Sequence, residues 1–208
     1  MYDFLVDLDA YFCEKYADYD KITSLPGYRM PKMQTSEVRE DGRTYAYTLP
    51  ANTMRLAKQE GKAELLAELK TRMLDKTFSF SFSPCNIFTR IKNVFSKYAP
   101  HKHLKLMLEK YGVTQAAAGE NLNIEPEILQ GIWKGKFVPT KNLLFSLALT
   151  AHWSFEDTKK MMEICYCEFN YTVVKDVVIA YLLHQKVYNR DMIDAALAEY
   201  KVTNLFLK

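Results

Sequence analysis

Glycine is scarce in this chain, seven residues among 208, and that scarcity argues against a glycine-rich loop able to cradle a nucleotide's phosphates. Cysteine is rarer still. Cys13, Cys85, Cys165 and Cys167 show no C-x-x-C spacing and no neighbouring histidine pair to complete a tetrahedral zinc site, so they read as reduced thiols. No G-x-S-x-G, H-E-x-x-H, phosphate loop or Cys/His nucleophile arrangement occurs. The expectation is a non-enzymatic protein without cofactor or metal. Long apolar runs are missing too: uncharged stretches such as "LLFSLALTA" fall far below the ~20 residues that cross a bilayer. The opening "MYDFLVDLDAYF" interrupts its apolar residues with Asp3, Asp7 and Asp9, unlike a signal peptide. These absences predict no membrane partner and a cytoplasmic location. A strong charge excess is also absent, and a formal net charge of +3 does not by itself announce a nucleic-acid binder.

What is present is apolar content of 49%, ample for a packed core. Residues 2–19 place Phe4, Leu5, Leu8, Tyr11, Phe12 and Tyr16 at spacings of three and four, which suits an amphipathic helix. "SLPGYRMP" breaks it. Between 33 and 49, β-branched and aromatic residues flank Asp41-Gly42, a hairpin-turn dipeptide. After Pro50, helix formers interrupted by Gly61 predict two consecutive helices or one with a break. "TFSFSFS" alternates like a strand, and residues 86–98 return to helical spacing through Ile87, Ile91, Val94 and Phe95. Beyond Pro100 the pattern is helical throughout, with breaks at Gly112-Val113, Asn123, 135–140, His152 to Ser154, Asn170 to Thr172 and Asn189. The expected fold is mainly α. It comprises an N-terminal α+β part over 1–99, with helix, small β-hairpin and helices, and an all-helical domain over 100–208.

The stretch "VTQAAAGENLNIEPEILQGIWKGKFVPTK", residues 113–141, sets two short helical runs around a tight polar break. Thr114 suits a helix N-cap and Pro126 the first position of the next helix, where its missing amide hydrogen costs nothing. Asn123 stands at a turn position that usually holds glycine, and asparagine tolerates a left-handed backbone. Together with Gln115, Leu122, Ile124, Ile132, Gly135, Pro139, Leu144, Leu147, Ala148, Ala151 and Ser154, these residues make 105–158 resemble the five-helix domain of phage-repressor-type (XRE-like) helix-turn-helix proteins. The resemblance covers about a quarter of the chain. It implies a lambda-repressor-like helical domain with the helix-turn-helix at 114–135, extra C-terminal helices, and a bacterial or phage-type regulator of transcription that binds DNA.

By position, the base-reading residues of such a protein would be Pro126, Glu127 and Gly131. Proline and glycine offer no side-chain donor, and glutamate can only accept. Glu125 and Glu127 have a simpler use, since carboxylates in a helix's first turn are favoured by the macrodipole. Gln115 matches the family's phosphate-contacting glutamine. Gln130, Lys134, Lys136 and Lys141 complete the candidate DNA contacts on and after the second helix. Arg90, Lys92 and Lys97 belong to a stretch with no acidic residue between Asp75 and Glu109, interleaved with Phe88, Phe95 and Tyr98. That stretch reads either as a phosphate-binding patch or as a solvated helix face. DNA binding with weak or unusual base selection is one expectation. The alternative is a protein-interaction module that keeps the helix-turn-helix as a packing unit and uses an exposed face around Glu125, Glu127 and Trp133.

Other constellations weigh less. "FLVDLDAYF" is similar to the D-x-D-A-[FY]-[FY] motif of translesion polymerases, with Asp7 as the magnesium ligand, but no second acidic motif follows and the chain is too short. Asp3, Asp7 and Asp9 read instead as the polar side of a surface helix. "HKH" at 101–103 lacks partners for a metal. Val173, Val177, Val178, Tyr181 and Leu182 form a broad apolar stripe near the end of the sequence. It would dock on the N-terminal part or serve self-association through the C-terminal helices.

Overall fold

A computed structural model describes residues 4–30, 32–50, 55–74, 81–202 and 205–208. Among them are eleven α-helices and one two-stranded antiparallel hairpin. Helix α1 is Phe4–Lys15 and α2 is Tyr19–Thr23. Strands β1, Lys32–Val38, and β2, Thr44–Pro50, form the hairpin, and a short 3-10 turn, Leu56–Lys58, precedes α3, Lys62–Arg72. Helix α4 is Ile87–Phe95, α5 Pro100–Lys110, α6 Gln115–Glu120, α7 Pro126–Trp133 and α8 Lys141–Thr150. Last come α9, Phe155–Ile164, α10, Val174–His184, and α11, Arg190–Glu199. The protein is mainly helical, as composition and periodicity anticipate, and no described helix is long and apolar enough to cross a membrane. The alternation at "TFSFSFS" lies mostly outside the described residues, and residues 81–83 adopt no regular structure.

Local chemistry sets the helix ends. The side chains of Asn86, Thr114, Thr140, Ser154 and Asn189 each accept a hydrogen bond from a backbone amide of the first turn, satisfying a donor with no partner inside the helix. Pro100 and Pro126 open α5 and α7. Gly42, in a left-handed conformation, closes a hairpin loop in which the Gly42 amide donates to the Arg39 carbonyl.

One buried apolar cluster extends from Leu8 to Phe206. Around it α5 contacts α6, α7 and α9, while α10 lies against α1, α8, α9 and α11. Val177, Val178, Tyr181 and Leu182 are fully or almost fully buried, and the Tyr181 hydroxyl donates to the Phe4 carbonyl at 3.0 Å. The stripe therefore docks within the chain, on α1, and is not available as a surface for self-association. Helix α1 is fixed further by Lys70, whose ammonium reaches Asp9 at 2.7 Å and Glu199 at 2.5 Å, and by the Tyr200 hydroxyl, which donates to Asp9 at 2.6 Å. Burial beside the Asp9 carboxylate raises the Tyr200 phenol well above its ordinary range. Asp9 is thus a structural acceptor.

Candidate functional site

Helices α6 and α7 owe their geometry to small residues. Ala118 is buried, and a Cβ on Gly119 would lie 2.6 Å from Leu129 Cδ2, so the two helices meet with no room for a side chain between them. On the other side of α7, Gly131 is covered by Phe137, whose ring would lie 2.5 Å from an added Cβ. Leu129, Ile132 and Trp133 face the core. After Trp133 the chain turns through Lys134 and Gly135, the latter left-handed, and the Lys136 amide bonds back to the Gly131 carbonyl in a Schellman-type stop.

Two expectations fail at this point. Trp133 is only 6% exposed and packs with Ile132 and Leu129 against the core, so it is not an exposed aromatic, although it lines the groove between α6 and α7 beside Leu129. Asn123 keeps a negative φ. The turn at 121–125 is held from outside instead: Leu122 bridges Leu207, the Asn123 amide donates to the Phe206 carbonyl at 3.0 Å, and the Lys208 amide donates to the Asn121 carbonyl at 3.1 Å. With distant chain supplying the partners, no left-handed residue is needed. Phe206 also stacks on Phe82, centroid to centroid 5.2 Å.

Between α6 and α7 opens a groove of about 650 Å³. Its apolar floor includes Ile124, Pro126 and Leu129, and its polar lining includes Gln115, Gln130 and Glu125. Glu120 lines it as well, Glu127 stands exposed on the first turn of α7, and Lys208 is the only cation among the described lining residues. No lysine or arginine occurs between Lys110 and Lys134. Among the described residues Glu120, Glu125 and Glu127 form no ion pair, so the face is acidic, with Lys208 the one cation among its described lining residues.

No family model, no curated protein and no solved structure matches the chain.

The residues singled out in the sequence separate into three places. Gln115, Glu127 and Gln130 share the α6–α7 face, the first and last of them lining the groove. Lys134 and Lys136 are exposed beyond the end of α7, and Arg90, Lys92 and Lys97 are exposed on and just after α4. Lys92 and His101 line a second cavity, about 480 Å³, together with Gly135, Phe137 and Pro139, and no carboxylate is among its described lining residues. Burial, and after it the charges of Lys105 and Lys102, hold His101 below the ordinary histidine pKa. Lys141 belongs to neither surface. Its ammonium is paired with Asp176, a buried carboxylate of α10 that also accepts the Asn170 amide at 2.6 Å. As a candidate phosphate contact Lys141 is therefore withdrawn: its charge is engaged inside the fold. Burial outweighs these partners and raises the Asp176 carboxyl above the ordinary aspartate pKa.

Sequence reasoning missed a second acidic residue with a defined task. Asp157, in the first turn of α9, accepts from Lys110 Nζ at 2.6 Å and from the Tyr111 hydroxyl at 2.6 Å, while that hydroxyl accepts the Ser154 amide. The hydrogen bonds from Lys110 and Tyr111 hold its carboxyl below the ordinary range. The local signal was Ser154-x-x-Asp157, a cap with an acid three residues on. Cys165 is buried, and burial pushes its thiol up to about 12, so it is a packing residue with no nucleophilic character at neutral pH.

Proposed function

We propose that this chain is a non-enzymatic interaction module. On a scaffold that resembles a phage-repressor helix-turn-helix, its α6–α7 pair receives a basic, partly apolar segment of a partner protein and does not read DNA. One observation carries the reading: the groove between the helices has an apolar floor, an acidic rim of Glu120, Glu125 and Glu127, and no arginine or lysine contributed by either helix. A major groove would bring phosphates against those carboxylates, and the face lacks the bidentate donors worth ~1–3 kcal/mol of base discrimination. A cationic peptide meets the same face with complementary charge and covers Ile124 and Leu129.

A second reading, non-specific DNA binding, is favoured by a different observation. Lys92 lines a cavity with no carboxylate among its described lining residues, and the exposed Lys134 and Lys136 stand on either side of its Gly135 in the chain, where phosphates could be gripped. Two measurements separate the readings. Panning a random displayed-peptide library against the full chain should return basic peptides whose binding is lost on Glu125→Lys with Glu127→Lys. Titrating random duplex at low salt should show no binding. Binding whose logarithm falls with a slope of ~0.9 per phosphate contact as salt rises, and which Lys134→Glu with Lys136→Glu flattens, would establish the DNA reading instead.

A further inference from the structure

Helix α4 is oriented inside out for a helix in water. At about 100° per residue its five apolar side chains, Ile87, Phe88, Ile91, Val94 and Phe95, fall within an arc of about 120°. All five are exposed, by 53% to 83%. The short polar residues Thr89, Asn93 and Ser96 occupy the opposite arc and are the partly buried ones, lining the cavity against α5 and residues 135–139. The helix is held in this attitude. Asn86 caps it, the Cys85 amide donates to the Lys136 carbonyl at 2.8 Å, the Val138 amide donates to the Ser83 carbonyl at 3.0 Å, and Lys102 Nζ bonds the Val94 and Ser96 carbonyls at 2.8 and 3.0 Å.

We propose that α4 is a surface anchor that lays this apolar face into an anionic lipid bilayer, a site separate from the α6–α7 groove and independent of its reading. Charge decides the occupant. Arg90 and Lys92 flank the apolar arc on its two sides, each about 40° beyond its edge, and Lys97 follows the helix. Cations so placed keep their heads at the phosphate level while their stems lie along the buried face. No acidic residue occurs between Asp75 and Glu109. A second copy fits poorly, because pairing two α4 faces would bring Arg90 and Lys92 against like charges with no carboxylate on the helix to offset them. This mode lies on a membrane without crossing it, so it is compatible with the short length of every described helix.

The full chain would be floated with vesicles of phosphatidylcholine alone and of equimolar phosphatidylcholine and phosphatidylserine. Recovery with the anionic vesicles only is the expected result. Arg90→Gln with Lys92→Gln should weaken partitioning by about fivefold per cation. Phe88→Ser with Phe95→Ser should weaken it by more than about tenfold. Both pairs are exposed, and an unchanged thermal midpoint verifies that each variant is folded. No recovery with the anionic vesicles, or equal recovery with both kinds, would overturn the proposal. So would concentration-dependent dimerisation abolished by the phenylalanine variant without vesicle binding, which would assign the face to a second copy.

Discussion

Replacing Lys141 with methionine should destabilise the fold, and the size of the loss follows from where the charge lies. The Asp176 side chain is 3% exposed and that of Lys141 27%. Removing one partner of a buried pair costs ~3–5 kcal/mol because the other charge is left unpaired. Partial exposure of Lys141, the surviving Asn170 amide and the nearby charge of Lys175 reduce this to about 2–3 kcal/mol. For a chain of this size the thermal midpoint should fall by about 4–12 °C at neutral pH, followed by circular dichroism. The deficit should depend on pH. Burial already raises the Asp176 carboxyl, and loss of Lys141 raises it further, so folding favours the neutral acid. The penalty then grows as pH climbs above the unfolded aspartate value of 3.8 and levels off beyond the folded one. Wild type and variant should therefore converge on acidification, and adding Asp176→Asn should restore much of the loss. A midpoint drop under about 2 °C, or no recovery from the second substitution, would refute the ion-pair assignment and return Lys141 to the protein surface.

Two further substitutions probe other joints. Asp157→Asn should flatten the acid limb of the stability profile: the wild-type carboxyl is held below 3.8, so it stabilises the fold above that pH and ceases to as pH falls through its folded value, and acid titration of both proteins would show it. Lys186 is left-handed, φ 54°, at the stop after α10, so Lys186→Gly should stabilise by about 0.5–1 kcal/mol, read from urea unfolding, and an unchanged or lower midpoint would contradict the strain.

Features written locally were legible. Thr114, Ser154 and Asn189 cap helices because a side-chain oxygen needs only the next turn's amide, and Asp41-Gly42 marks the hairpin because Gly42 alone accepts the required backbone. Every inter-helix break anticipated after residue 100 falls between observed helices. What failed required knowledge of distant chain. Lys141 seemed a free cation until α10 brought Asp176 beside it, and Trp133 seemed exposed until α7 packed into the core. Asn123 was expected to carry the turn alone, whereas residues 206–208 supply its partners. Helical periodicity located α4 correctly but is silent on which side of an amphipathic helix faces water. The groove's acidic rim was visible in part as Glu125 and Glu127, while Glu120 and the apolar floor were not.

The clasp of 206–208 on 121–123 has a consequence for timing. An edge closed by chain roughly eighty residues downstream cannot mature from neighbouring segments, since that closure must await a distant encounter whose entropy grows with loop length. The two short helices can flicker early, but their joint should be among the slowest backbone sites to gain protection against solvent exchange. Disturbing Leu207 would be felt at Leu122 before anywhere else.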